Sequence, residues 1–168
     1  MKENEPAPPP LPRWMHGLRA LRYRNYRLFF FGQSISLIGT WMQVVAMSWL
    51  VYSLTGSALI LGMIGFCSQI PALIVPPLAG VLADRWNRHH ILVWTQTLSM
   101  IQAFVISALV LTHAVQVWHL YFLSIFLGCV NAFDIPARQS LYIGMIGNRD
   151  DLSNAIALNS SIFNGARL

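Results

Sequence analysis

Charge is what this sequence lacks. Charged residues make up 10% of its 168 positions, against about a quarter in a soluble domain. Between Leu28 and Phe133 the formal charges are Asp84, Arg85 and Arg88, which sit together. Long charge-free stretches on either side of one charged knot are what a lipid bilayer demands, so a soluble globular fold is excluded. The net charge of +5 does not mark a nucleic-acid binder, because the arginines flank hydrophobic segments and form no continuous basic face. Cysteine is also scarce. Cys67 and Cys129 lie inside apolar segments and are expected to be small buried hydrophobes, neither a disulfide nor a metal pair. Gly-rich nucleotide loops, nucleophile elbows and zinc helix motifs are absent, so no catalytic group, metal or cofactor is implied.

What is present is hydrophobic length. Apolar segments run from about Leu28 to Ser53, Ala58 to Ala83, Ile91 to Leu111 and Val117 to Phe133. Each is near the roughly 20 residues a helix needs to cross hydrocarbon. The second carries Pro71, Pro76 and Pro77, which neighbouring helices can accommodate in a membrane. Links of a few residues make successive helices antiparallel neighbours. A fifth apolar run begins near Ser153 and is still open at Leu168, as in a segment cut short. The expected fold is an all-α membrane protein with four complete spans and part of a fifth.

Basic residues set the orientation. Arg13, Arg19, Arg22, Arg24 and Arg27 precede the first span. Arg85 and Arg88 follow the second, and Arg138 and Arg149 follow the fourth. The first and third links have no Lys or Arg. The positive-inside rule therefore places the N-terminus in the cytoplasm. The Pro-rich tail up to residue 12 is expected to be extended. It is not a signal peptide, given Glu3 and Glu5 and the length of the first apolar run. Trp14, Leu18 and Leu21 recur at helical spacing among arginines, which fits either a short interfacial helix or a merely basic flank. Asp134 to Leu152 is expected to be a partly helical cytoplasmic connection.

Two polar stripes stand out. In the first span Gln33, Ser36, Thr40 and Gln43 share a helical face, and in the fourth Tyr121, Ser124, Gly128 and Asn131 do the same. Such residues can hydrogen-bond between helices or line a cavity. Packing is the better account of Ser124 and Gly128, and Gly62 and Gly65 are expected to be close-packing positions. Arg167 follows Asn164 by three positions, about four turns into the last segment. An arginine at that depth needs a cavity or a partner.

The knot Gly80-Val81-Leu82-Ala83-Asp84-Arg85-Trp86-Asn87-Arg88-His89 resembles the signature loop of the major facilitator superfamily, G-x-L-A-D-R-x-G-R-[RK]. It departs at Asn87, expected to take the left-handed turn of the usual glycine, and at His89. Thr55-Gly56-Ser57, Asp134-Ile135-Pro136-Ala137-Arg138 and the run from Asn154 to Arg167 resemble the branch of siderophore and macrolide exporters. The resemblance implies the N-terminal part of a fold built of two six-helix halves, in a bacterial inner membrane. It implies a secondary-active, proton-coupled exporter of an amphipathic organic compound. Gly80, Asp84, Arg85, Arg88 and Asp134 would form a cytoplasmic gate. Gln33, Ser36, Thr40, Gln43, Asn131, Asn164 and Arg167 would line the central cavity. The partners would be the bilayer, a small-molecule substrate and the missing C-terminal part of the chain. The alternative is a four-span membrane module that transports nothing.

Overall fold

The structure is a computed structural model that describes residues 19–75, 87–146 and 149–167. Among these residues the regular structure is helical, without a strand. A short 3-10 turn at 19–22 leads into α1 (Arg24–Thr55). Then follow α2 (Ala58–Ile74), α3 (Arg88–Leu111), α4 (Val117–Gly144) and α5 (Arg149–Gly165). α1, α3 and α4 are long and apolar enough to cross a membrane, and α2 is a shorter apolar helix of 17 residues.

The helices do not end where hydropathy ends. α1 begins one turn before Leu28, with the Arg27 N–H donating to the Tyr23 carbonyl at 2.8 Å. α3 starts at Arg88 because the Asn87 side chain caps it, accepting from the His89 N–H at 3.0 Å. Asn87 has φ −67° and ψ 115°, so it is an N-cap and not the expected left-handed turn residue. α4 runs to Gly144 through the stretch expected to be a separate connection, with Pro136 inside it. Hydropathy marks the edge of the hydrocarbon, whereas the hydrogen-bond ladder continues until something competes with it. The second span is described only to Val75, and the rest of it lies outside the described residues.

The turns are built locally. Gly56 takes φ 61°, Thr55 Oγ1 accepts from the Ser57 N–H at 3.2 Å, and Ser57 Oγ caps α2 by accepting from Ile60 at 3.4 Å. α3 ends on His113 at φ 54°. There the Ala114 N–H reaches back to the Leu109 carbonyl at 3.0 Å, the six-to-one bond of a Schellman cap.

The chain divides into two compact units, Met1–Trp41 with Tyr142–Leu168, and Met42–Leu141. In the first, Ala20, Tyr26, Tyr142, Ile146 and Ala155 form the core. Tyr26 donates to the Ala155 carbonyl at 3.0 Å, and the Ala20 N–H donates to Asn154 Oδ1 at 3.0 Å. Further along, Trp41 meets Phe163 edge-on at 5.8 Å. The contacts advance in the same sense on both helices, so α1 and α5 are parallel.

In the second unit, Val51, Ile64 and Leu120 form a cluster that joins the end of α1 to the starts of α2 and α4. α2 and α4 approach again at Gly128, where an added Cβ would collide with the Ser68 carbonyl oxygen and lie 3.0 Å from Pro71 Cγ. Gly128 is therefore a packing glycine. Among the described residues, Gly62 and Gly65 have open space where a Cβ would stand, so neither packs there as closely as expected. α3 runs antiparallel to α4, with Thr95 against Asp134 at one level and Gln102 against Leu123 at another.

Candidate functional site

The Met42–Leu141 unit holds a buried acid. Asp134 lies in α4 and is 3% exposed. A carboxylate taken out of water needs an opposite charge and hydrogen bonds on its remaining lone pairs. Arg138, one turn further along, pairs with Oδ2. Thr95 Oγ1 donates to Oδ1 at 2.7 Å and Gln96 Nε2 donates to the same oxygen at 3.0 Å. The intervening Pro136 cannot donate to the Ala132 carbonyl, which loosens the ladder beside the pair. Asp134 is thus held by its own helix and by α3. Arg88, the other described member of the expected gate, is exposed at the first position of α3. Gly80, Asp84 and Arg85 lie outside the described residues.

A second polar contact crosses the same unit. Gln43 Nε2 donates to Gln102 Oε1 at 2.6 Å, and Gln102, 1% exposed, donates to the Leu123 carbonyl at 3.5 Å. Gln43 therefore bonds between helices. Asn131 is half-buried.

The remaining expected cavity residues belong to the other unit. Gln33 is buried, and its Nε2 has no hydrogen-bond partner among the described residues. Ser36 is half-buried, while Thr40 is exposed and donates to the Ser36 carbonyl at 2.9 Å. Asn164 donates to the Ser160 carbonyl at 2.8 Å. α5 runs to Gly165, and Arg167 follows it in a turn, its N–H donating to the Asn164 carbonyl at 3.2 Å. Its guanidinium lies 5.5 Å from the centroid of the Trp41 ring, within cation–π range. The indole Nε1 of Trp41 is buried without a hydrogen-bond partner among the described residues.

Thr95, Gln96, Gln102 and Trp41 were not expected from the sequence. The signal for two of them was present: Thr95 and Gln102 are seven residues apart in an apolar helix, hence on one face. The i,i+4 spacing of Asp134 and Arg138 likewise foreshadowed their pairing.

Apolar helices of membrane-crossing length, joined by tight turns and holding a paired acid in their interior, define a polytopic membrane protein. The chain belongs to the transmembrane secretion effector family of the major facilitator superfamily, whose pattern matches residues 15–168. It is 25% identical over 145 residues to the staphyloferrin A transporter of Staphylococcus aureus (strain NCTC 8325 / PS 47), which covers 83% of this chain and 35% of that protein. It is 27% identical over 124 residues to macrolide efflux protein A of Streptococcus pyogenes, covering 71% of this chain and 31% of that protein. Similarity extends to the uncharacterized MFS-type transporter YfiS of Bacillus subtilis (strain 168), 24% identical over 140 residues, 81% of this chain and 31% of the relative. The chain spans about a third of the length of these relatives. No solved structure gives a significant match.

Proposed function

We propose that the chain forms the first part of a proton-coupled exporter that moves an amphipathic organic compound outward, in a bacterial inner membrane with its N-terminus in the cytoplasm. The observation that carries this reading is the buried Asp134–Arg138 pair with its Thr95 and Gln96 donors. Ionisable groups inside membrane helices are expensive and concentrate in transport pathways and gates. The chain's family and its siderophore-transporter and macrolide-efflux relatives supply the transporter class. In this reading four helices and part of a fifth belong to one half of a rocking pair.

Gly80, Asp84, Arg85, Arg88 and Asp134 form the cytoplasmic gate. Asp84 meets a helix N-terminus from the other half, where the helix dipole favours a carboxylate. Gln33, Ser36, Thr40, Gln43, Asn131, Asn164 and Arg167 line the path of the compound. Arg167, without a carboxylate partner among the described residues, receives an anionic group. Its contact with Trp41 supports this role by holding the guanidinium in one place.

The test is efflux of a fluorescent amphipathic dye from cells, with and without a collapsed proton gradient, using the protein as its gene encodes it. Export should stop when the gradient collapses. Asp84→Asn should insert normally and export poorly. Arg167→Lys should lose much of the export and Arg167→Ala nearly all, because Lys cannot reproduce a planar two-pronged contact. Export at the wild-type rate by well-expressed Asp84→Asn and Arg167→Ala proteins would exclude these roles.

A further inference from the structure

A run of amide hydrogen bonds crosses three helices of the Met42–Leu141 unit. Gln102 of α3 donates from Nε2 to the Leu123 carbonyl of α4, and its Oε1 accepts from Gln43 Nε2 of α1 at 2.6 Å. The direction of this run is forced. A backbone carbonyl only accepts, so the buried Gln102 amide turns its NH2 toward Leu123 and its oxygen toward Gln43. The opposite rotation would set oxygen against oxygen in an apolar interior, where an unpaired polar group is costly. Gln102 in turn decides the rotation of Gln43, because only the NH2 end of Gln43 can meet an acceptor oxygen. The Gln43 oxygen is thereby left over. It has no donor among the described residues. Gln43 is half-buried, and its oxygen is not enclosed, in contrast to Gln33 Nε2. Gln102 lies 14 residues after Arg88 and nine before Leu111, near the middle of a helix long enough to cross a membrane. Substrate sites of secondary transporters lie near that depth.

We propose that Gln102 is a positioning residue that fixes the Gln43 amide with its oxygen free, so that the path selects amphipathic compounds carrying an N–H or O–H donor. The inference rests on the reading of Gln43 as a residue of the compound's path, and it adds the chemistry that residue selects. Gln43 keeps one N–H besides the one given to Gln102, so it offers two acceptor positions on oxygen against a single donor. A freely rotating glutamine would serve donors and acceptors alike, whereas one held in a single rotation tells them apart. A compound without a donor leaves the oxygen unpaired once water is displaced, which is how a polar site rejects an analogue lacking the matching group. Gln102 is enclosed between the helices and acts on the compound through Gln43.

The test is equilibrium binding of two dyes to the purified protein as its gene encodes it, read by fluorescence anisotropy. Rhodamine 6G carries an N–H on each of its xanthene nitrogens. Tetramethylrhodamine ethyl ester has fully alkylated nitrogens and no such donor. The protein should bind rhodamine 6G about three- to tenfold more tightly, the worth of one neutral hydrogen bond. Gln102→Met keeps the volume and removes both of the Gln102 bonds, so the preference should disappear and the two dyes bind alike. Gln102→Glu should restore it, because a buried carboxyl keeps its proton, can donate it to Leu123 and can accept from Gln43 on the other oxygen. Should Gln102→Met fail to fold, Gln43→Met, at a half-buried position, removes the free oxygen itself and should lose the preference with Gln102 intact. Equal binding of the two dyes by the unaltered protein, or binding of neither, would overturn the inference. So would a preference that survives Gln102→Met or Gln43→Met, an equal weakening of both dyes, or a Gln102→Glu protein without the preference. Binding is read without a proton gradient, so these outcomes are separate from the exporter reading, which fails if cells export neither dye.

Discussion

At the scale of single residues, the structure separates glycines that look alike in the sequence. Gly128 lets α4 approach the backbone of α2, because a Cβ there would run into a carbonyl that cannot rotate away. Gly62 has nothing near the same position among the described residues. Gly128→Ala should therefore destabilise the protein by about 1–3 kcal/mol, the usual penalty for overfilling a packed contact, while Gly62→Ala should leave it unchanged or slightly more stable. Thermal unfolding of the two variants in the same detergent measures the difference. Equal melting points would mean that the α2–α4 contact yields freely. Asp134 teaches a related lesson. Its position was legible, and its pairing with Arg138 follows from helical spacing. Its further bonds to Thr95 and Gln96 required knowing which face of α3 turns toward α4.

At the scale of elements, each helix end has a local cause. The cap on α3 needs a left-handed residue, and His113 fills the place usually taken by glycine. A β-branched side chain is worse there, because its Cβ crowds the following carbonyl. His113→Val should lower stability by about 1 kcal/mol or more. His113→Gly should be neutral or mildly stabilising, since relief of strain is offset by the greater freedom of glycine in the unfolded chain. Chemical denaturation in mild detergent distinguishes the two. A valine variant as stable as the parent would show that the cap contributes nothing. α4 shows the limit of reading ends from composition. The stretch from Asp134 is expected from the sequence to be a separate, partly helical connection, yet the ion pair neutralises the charge and α4 itself carries on to Gly144.

At the scale of the whole molecule, the proposed topology makes a labelling prediction. With Cys67 and Cys129 replaced, single cysteines at positions 56 and 114 should react with an impermeant maleimide added outside intact cells, and a cysteine at 87 should not. The expectation follows from the one-sided distribution of Lys and Arg among the links. Labelling at 87 from outside would reverse the orientation and move the proposed gate to the other face. Contacts within each unit agree with alternating helix directions: α3 is antiparallel to α4, and α1 is parallel to α5.

The sequence by itself determined the class of protein, since a chain with so few charges between Leu28 and Phe133 can bury its backbone polar groups only as membrane helices. It also determined the membership suggested by the knot from Gly80 to His89, because a motif is a local string and needs no folding to be seen. Three kinds of fact waited for tertiary structure. Which polar residues meet depends on the rotation of each helix about its axis, and apolar flanks on every side leave that angle undetermined. Hence Gln43 found Gln102, a partner that no spacing along the chain announces. Which glycines pack depends on where two axes cross. Where a helix stops depends on competing hydrogen bonds and paired charges, as at Asn87 and at Asp134 with Arg138, and these are decided by neighbours that only the folded chain brings near.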